Sequence, residues 1–119
     1  MHEYSLISHL LELLEDLAEE GKWPPPVKVR LRVGALRQVV PEIMYSCYAS
    51  SVEGTFFEGS TLELEILPVM WQCEECGHIW EGEPGKRSCP LCGSLKNILT
   101  GGEELEIASV EVRDYAENC

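Results

Sequence analysis

The stretch that decides the architecture is WQCEECGHIWEGEPGKRSCPLCGS, residues 71–94. It holds two C-x-x-C pairs, Cys73 with Cys76 and Cys89 with Cys92, and a glycine follows each pair at once, Gly77 and Gly93. Two intervening residues let one tight turn present both sulfurs to a single ion, and glycine accepts the positive φ that such a turn needs. Two turns of this kind, facing each other, offer four thiolates in a tetrahedron. That donor set indicates zinc, or else iron. The spacing favours a metal over two disulfides, because neither pair has an evident helix to activate a redox thiolate. Four thiolates also close the coordination shell. A closed shell holds shape and leaves no water to activate, so zinc hydrolysis is not expected. Four thiolates at −4 and a dication at +2 add −2, which would take the formal charge from −12 to −14.

The surrounding segment, 69–100, is rich in Cys, Gly and Pro and has little apolar periodicity. It is too short to build a core, so the metal must order it. In small zinc modules the ion contributes apparent folding energy on the order of 10–16 kcal/mol. On both sides of the segment the pattern changes. Residues 4–20 repeat Leu6, Leu10, Leu13, Leu14 and Leu17 at helical steps, with Glu12, Asp16 and Glu19 opposite. Gly21 suits the helix end, and Pro24, Pro25 and Pro26 forbid continuation. VKVRLRV (27–33) then alternates, placing Val27, Val29, Leu31 and Val33 on one face and Lys28, Arg30 and Arg32 on the other. Pro41 and Glu42 open a second helix through about Ser51, with Met44, Cys47, Tyr48 and Ser51 inward. TLELEIL (61–67) alternates again, with Leu62, Leu64 and Ile66 inward, and ELEIASVEV (104–112) supplies a third strand. The basic row of the first strand matches Glu63 and Glu65 of the second, so the two are placed side by side. The expected fold is α+β: a small three-stranded sheet covered on one face by two helices, with an inserted zinc ribbon. The domain made of 1–68 and 101–119 would enclose the ribbon at 69–100.

Composition narrows the function. Acids outnumber bases 21 to 9, a surface that repels phosphate and disfavours nucleic-acid binding. No secretory leader and no run of roughly 20 apolar residues is evident. Paired cysteines in such a chain fit a reducing, cytoplasmic setting. Cys47 reads as a small core residue and Cys119 as a loose terminal thiol. There is no Gly-rich phosphate loop, no nucleophile with a plausible base and no open metal shell, so a carrier is expected rather than an enzyme.

The opening residues are Met1-His2-Glu3. The terminal amine and the His2 amide can close a five-membered chelate, and the same amide with the His2 ring a six-membered one. Three nitrogens then lie in a plane, with the fourth place left to the Glu3 amide or a donor from elsewhere. Planar nitrogen sites suit Ni(II) or Cu(II). Incomplete chelation is exchangeable, which suits a carrier better than a store. His9 lies about 10 Å along the helix from His2, too far to share the ion.

Three features together resemble the HypA family, nickel metallochaperones of hydrogenase maturation. They are MHEYSLI leading into a leucine-rich helix, the strand ending LRVGAL with Leu31, Val33, Gly34 and Leu36, and the C-x-x-C-G-H…C-x-x-C segment. The resemblance runs the length of the chain. It implies that Met1, His2 and Glu3 carry nickel and that Cys73, Cys76, Cys89 and Cys92 hold structural zinc. His78 matches a zinc-flanking histidine of the family, whereas Gly93 stands where some members have a second one. The implied partners are the maturation GTPase HypB and the hydrogenase large subunit, with no nucleic acid and no membrane segment. The protein is expected to be a monomer, with a weak dimer as the alternative. The competing reading is a zinc-ribbon or rubredoxin-like iron module, acting in protein or nucleic-acid interaction or in electron transfer. The charge of the ribbon disfavours nucleic acid, since Lys86, Arg87 and Lys96 face Glu74, Glu75, Glu81 and Glu83.

Overall fold

The structure is a computed structural model that describes residues 2–83 and 86–113, with only the backbone of His2. Met1 and Cys119 lie outside the described residues. In chain order the elements are α1 (His2–Gly21), β1 (Pro26–Gly34), a 3₁₀ turn (Ala35–Arg37), α2 (Pro41–Val52), β2 (Thr61–Leu67), β3 (Met70–Cys73), β4 (Ile79–Glu81), β5 (Asn97–Gly101) and β6 (Leu105–Val112). Among the described residues the fold is α+β, with two helices and two three-stranded sheets, ordered β2-β1-β6 and β4-β3-β5. The chain divides into two compact units. One comprises Met1–Leu31, Val39–Leu64 and Ile107–Cys119, and the other Arg32–Gln38 and Glu65–Glu106. None of the helices among the described residues is long and apolar enough to cross a membrane.

The core of the first unit draws Ile7, Leu10, Leu11, Leu14 and Ala18 from α1, Val29 and Leu31 from β1, and Met44, Tyr48 and Val52 from α2. Phe57 and Leu62 complete it. The buried stripe of α1 is therefore turned by one position from the expected one, for Leu13 and Leu17 are exposed. With leucine at 10, 11, 13, 14 and 17, two adjacent stripes satisfy the same three- and four-residue steps. Packing of Ile7 and Ala18 selects between them. In α2, Val52 rather than Ser51 ends the buried face, which keeps the four-residue step from Met44 through Tyr48. Val27 and Ile66, expected inward, are also exposed. In β2 the burial fades along the strand, from buried Leu62 through half-buried Leu64 to exposed Ile66.

The end of α1 departs from expectation as well. Lys22, at φ 50°, takes the left-handed position expected for Gly21. Trp23 N–H reaches back to Ala18 O at 3.1 Å, which closes the last turn. Gly21 is needed for space instead, since a Cβ there would lie 2.6 Å from the Trp23 indole nitrogen.

The pairing of β1 with β2 brings the charged rows together as expected. Lys28 and Arg30 meet Glu63 at 3.4 and 3.5 Å. Arg32 meets Glu65 at 3.3 Å. Arg30 also reaches Glu111 of β6 at 3.3 Å. These pairs are solvent-screened, so each contributes at most about 1 kcal/mol and serves mainly to fix register.

Candidate metal centre

The second unit carries the cysteines on a hairpin that the sequence pattern does not reveal. β3 pairs antiparallel with β4, setting Trp71 opposite Trp80 and Gln72 opposite Ile79. On its other side β3 pairs with β5, setting Cys73 opposite Asn97. These strands hold three to five residues each, too few for an alternation to register.

Each C-x-x-C forms a turn of the same design. In the first, Gly77 N–H donates to Cys73 O at 3.0 Å and Cys73 N–H to His78 O at 2.8 Å. In the second, Gly93 N–H donates to Cys89 O at 2.9 Å and Cys89 N–H to Ser94 O at 2.9 Å. Gly77 and Gly93 adopt φ of 78° and 76°, the left-handed conformation that a side chain would oppose. Asn97 locks the second turn from outside. Its amide nitrogen donates to Ser94 O at 3.1 Å and also to Arg87 O.

The two turns bring the four sulfurs within 4.8 Å of one another. Cys73 and Cys92 stand 3.5 Å apart, and Cys76 and Cys89 3.6 Å. Both of these approaches run between the turns, well beyond the roughly 2.05 Å of a disulfide. A tetrahedral ion with bonds of about 2.3 Å spaces its sulfurs about 3.8 Å apart, and this cage fits it. Cys73 and Cys89 are buried while Cys76 and Cys92 are exposed, so one wall of the cage faces solvent. Among the described residues, these four form the group able to hold a metal.

Backbone amides prepare the sulfurs for negative charge. The Cys76 amide, with help from that of Glu75, holds Cys73 down to about 7 against the opposing effect of burial. Burial raises Cys89, but the Cys92 and Leu91 amides and the neighbouring thiols outweigh it and lower the thiol. The other two sulfurs behave oppositely. At Cys92 the Ser94 amide favours the thiolate, but Cys73, burial and the remaining thiols push it up to about 12. At Cys76 the His78 amide is likewise outweighed by burial and by Cys89 and Cys73, and the thiol is raised. Four crowded sulfurs cannot all ionise alone. A dication at their centre would supply the missing charge, and the amides would then stabilise all four thiolates.

The nickel residues expected at the chain start are placed less completely. Met1 and the His2 side chain lie outside the description. The His2 backbone opens α1, and the Glu3 carboxylate accepts a hydrogen bond from Val40 N–H at 3.1 Å. His78 stands beside the cage rather than in it. Its ring stacks on Trp80 with centroids 5.9 Å apart and planes 12° from parallel. Asn97 escaped the sequence reading, because a single asparagine after a cysteine pair carries no periodic or spacing signal.

Comparison with known proteins places this chain in a family. The profile described as "Hydrogenase/urease nickel incorporation, metallochaperone, hypA" matches residues 1–112. Hydrogenase maturation factor HypA of Methylocella silvestris is 34% identical over 112 residues, spanning 94% of this chain and 99% of the relative. The protein of the same name from Streptomyces avermitilis is 36% identical over 116 residues, spanning 96% and 88%. The fold is similar to the solution structure of the Ni metallochaperone HypA from Helicobacter pylori. That likeness has a TM-score of 0.68 at 24% identity and covers 94% of this chain and 97% of the other.

Proposed function

The chain belongs to the HypA family of metallochaperones, and from that premise we propose that it carries Ni2+ at Met1, His2 and Glu3 for maturation of [NiFe]-hydrogenase, while zinc in the four-cysteine cage holds shape. The observation that carries this reading is the closed cage. Four sulfurs at tetrahedral spacing leave no open coordination position. An ion held there cannot readily be handed on, so a carrier needs a second, more open site. The start of α1 can supply one. By helix geometry the first four N–H groups have no intrahelical acceptor, so a metal can take nitrogen there without breaking a helix bond. The amine, the His2 amide and the His2 ring form the chelate, and a fourth donor completes the plane.

Cys73, Cys76, Cys89 and Cys92 are assigned to Zn2+, which would supply charge and cross-linking to the ribbon and no chemistry. The nickel role belongs to residues 1–68 and 101–119 and the shape-holding role to 69–100. The chain works in a reducing, cytoplasmic setting that keeps the cysteines as ligands. Its partners are the GTPase HypB and the hydrogenase large subunit. The test is nickel titration of wild type and His2→Ala, with zinc content measured in both. The variant is expected to lose nickel and keep its zinc. Equal nickel affinity in the two proteins removes His2 from the site.

A further inference from the structure

Val40 is the residue just before α2 and its side chain cannot cap the helix. The residue after it is Pro41, which has no N–H. The Val40 amide is therefore the last donor before α2, and its bond goes to another helix: it donates to the Glu3 carboxylate at 3.1 Å. Glu3 lies in the first turn of α1, so the carboxylate sits at the start of two helices. Both helix dipoles favour negative charge there. The bond engages Oε2, and turning that oxygen onto a metal would forfeit it and leave the amide to water.

We propose that the Glu3 carboxylate is a positioning group rather than a nickel donor: it latches the opening turn of α1 to the start of α2, and so presents the nitrogen donors of the first residues in a fixed arrangement. This rests on the N-terminal nickel reading, from which it separates the Glu3 side chain. Nickel is then held by nitrogens alone, and loss of the latch weakens binding through disorder of the chelate rather than through loss of a donor atom. A charge-assisted hydrogen bond of this kind corresponds to about tenfold in affinity.

The test compares wild type with Glu3→Ala, Glu3→Gln and His2→Ala by nickel titration, the nickel d–d absorption band at saturation, and hydrogen exchange of the Val40 amide. Zinc content serves as a check on folding. Glu3→Ala is expected to bind nickel about tenfold more weakly, to show the wild-type band when saturated, and to exchange the Val40 amide faster. Glu3→Gln keeps a neutral acceptor and should recover most of the loss in both affinity and protection. A shifted band in Glu3→Ala makes the carboxylate a ligand and overturns the proposal. So does unchanged Val40 exchange. His2→Ala separates the two ideas: if it binds nickel as wild type does, the N-terminal site fails, and the Val40 exchange of Glu3→Ala still decides whether the latch exists.

Discussion

At position 34 a side chain has nowhere to go. A Cβ there would lie 2.1 Å from the backbone carbon and oxygen of Gly102. The same approach lets Gly34 N–H donate to Glu104 O at 2.7 Å and Leu36 N–H to Gly102 O at 2.8 Å. Because the obstacle is backbone, the clash cannot be relieved by a rotamer. Gly34→Ala should cost about 3 kcal/mol in urea unfolding; a loss below about 1 kcal/mol would mean that the chain separates there at little cost. Tyr48 offers a gentler case. Ser60 hydroxyl donates to Phe57 O at 2.5 Å, so Tyr48 must be the donor in its 2.6 Å bond to Ser60. Burial raises the Tyr48 phenol above its ordinary 10. Its contribution to stability is thus full below about pH 10 and is lost as pH rises through the folded value. Tyr48→Phe should lose about 1 kcal/mol near neutrality and flatten the alkaline fall in stability, measured by denaturant titration at several pH values. Much at this scale was legible beforehand. The four cysteines and their glycines announce the cage through spacing, and Tyr48 falls on the α2 stripe. Asn97, Ser60 and the Glu3–Val40 bond were not legible, because each depends on a partner that only the folded chain brings near.

Elements differ in how much of themselves they write into sequence. β1 and β2 are long enough to alternate, and their opposed charges even name each other as neighbours. The α1 helix is plain, but its leucines are too many to say which stripe is inward. Its end is hidden for a different reason: the left-handed turn falls on Lys22, one residue beyond the glycine that the sequence offers. The strands β3, β4 and β5 are nearly illegible, since their order comes from pairing and from the cage rather than from an apolar face. That difference predicts how the molecule responds to loss of metal. Chelation should release amide protection across β3, β4 and β5 and change the fluorescence of Trp71 and Trp80. The helical circular dichroism of α1 and α2, which rests on a dry core, should persist. Collapse of both signals together would show that the cage supports the whole chain.

At the scale of the whole molecule, a closed sulfur cage contrasts with the open nitrogen site proposed at the chain start. The cage offers four sulfurs, and backbone amides of its own turns favour their thiolates. The proposed carrier site has three clustered nitrogens and an exchangeable fourth place. A formal charge of −12 favours the approach of cations but does not choose among them. Copper binds such nitrogens more tightly by intrinsic order, so discrimination must come from geometry, supply or the receiving partner. The central claim is that the leading amine and its neighbouring imidazole are the carrier. It is tested most directly by titrating nickel into the chain with its terminal amine acetylated, zinc being measured alongside. The acetyl group removes the amine as a donor while leaving every side chain in place. At least about tenfold weaker nickel binding with zinc unchanged is expected; nickel affinity equal to that of the free-amine chain would contradict it.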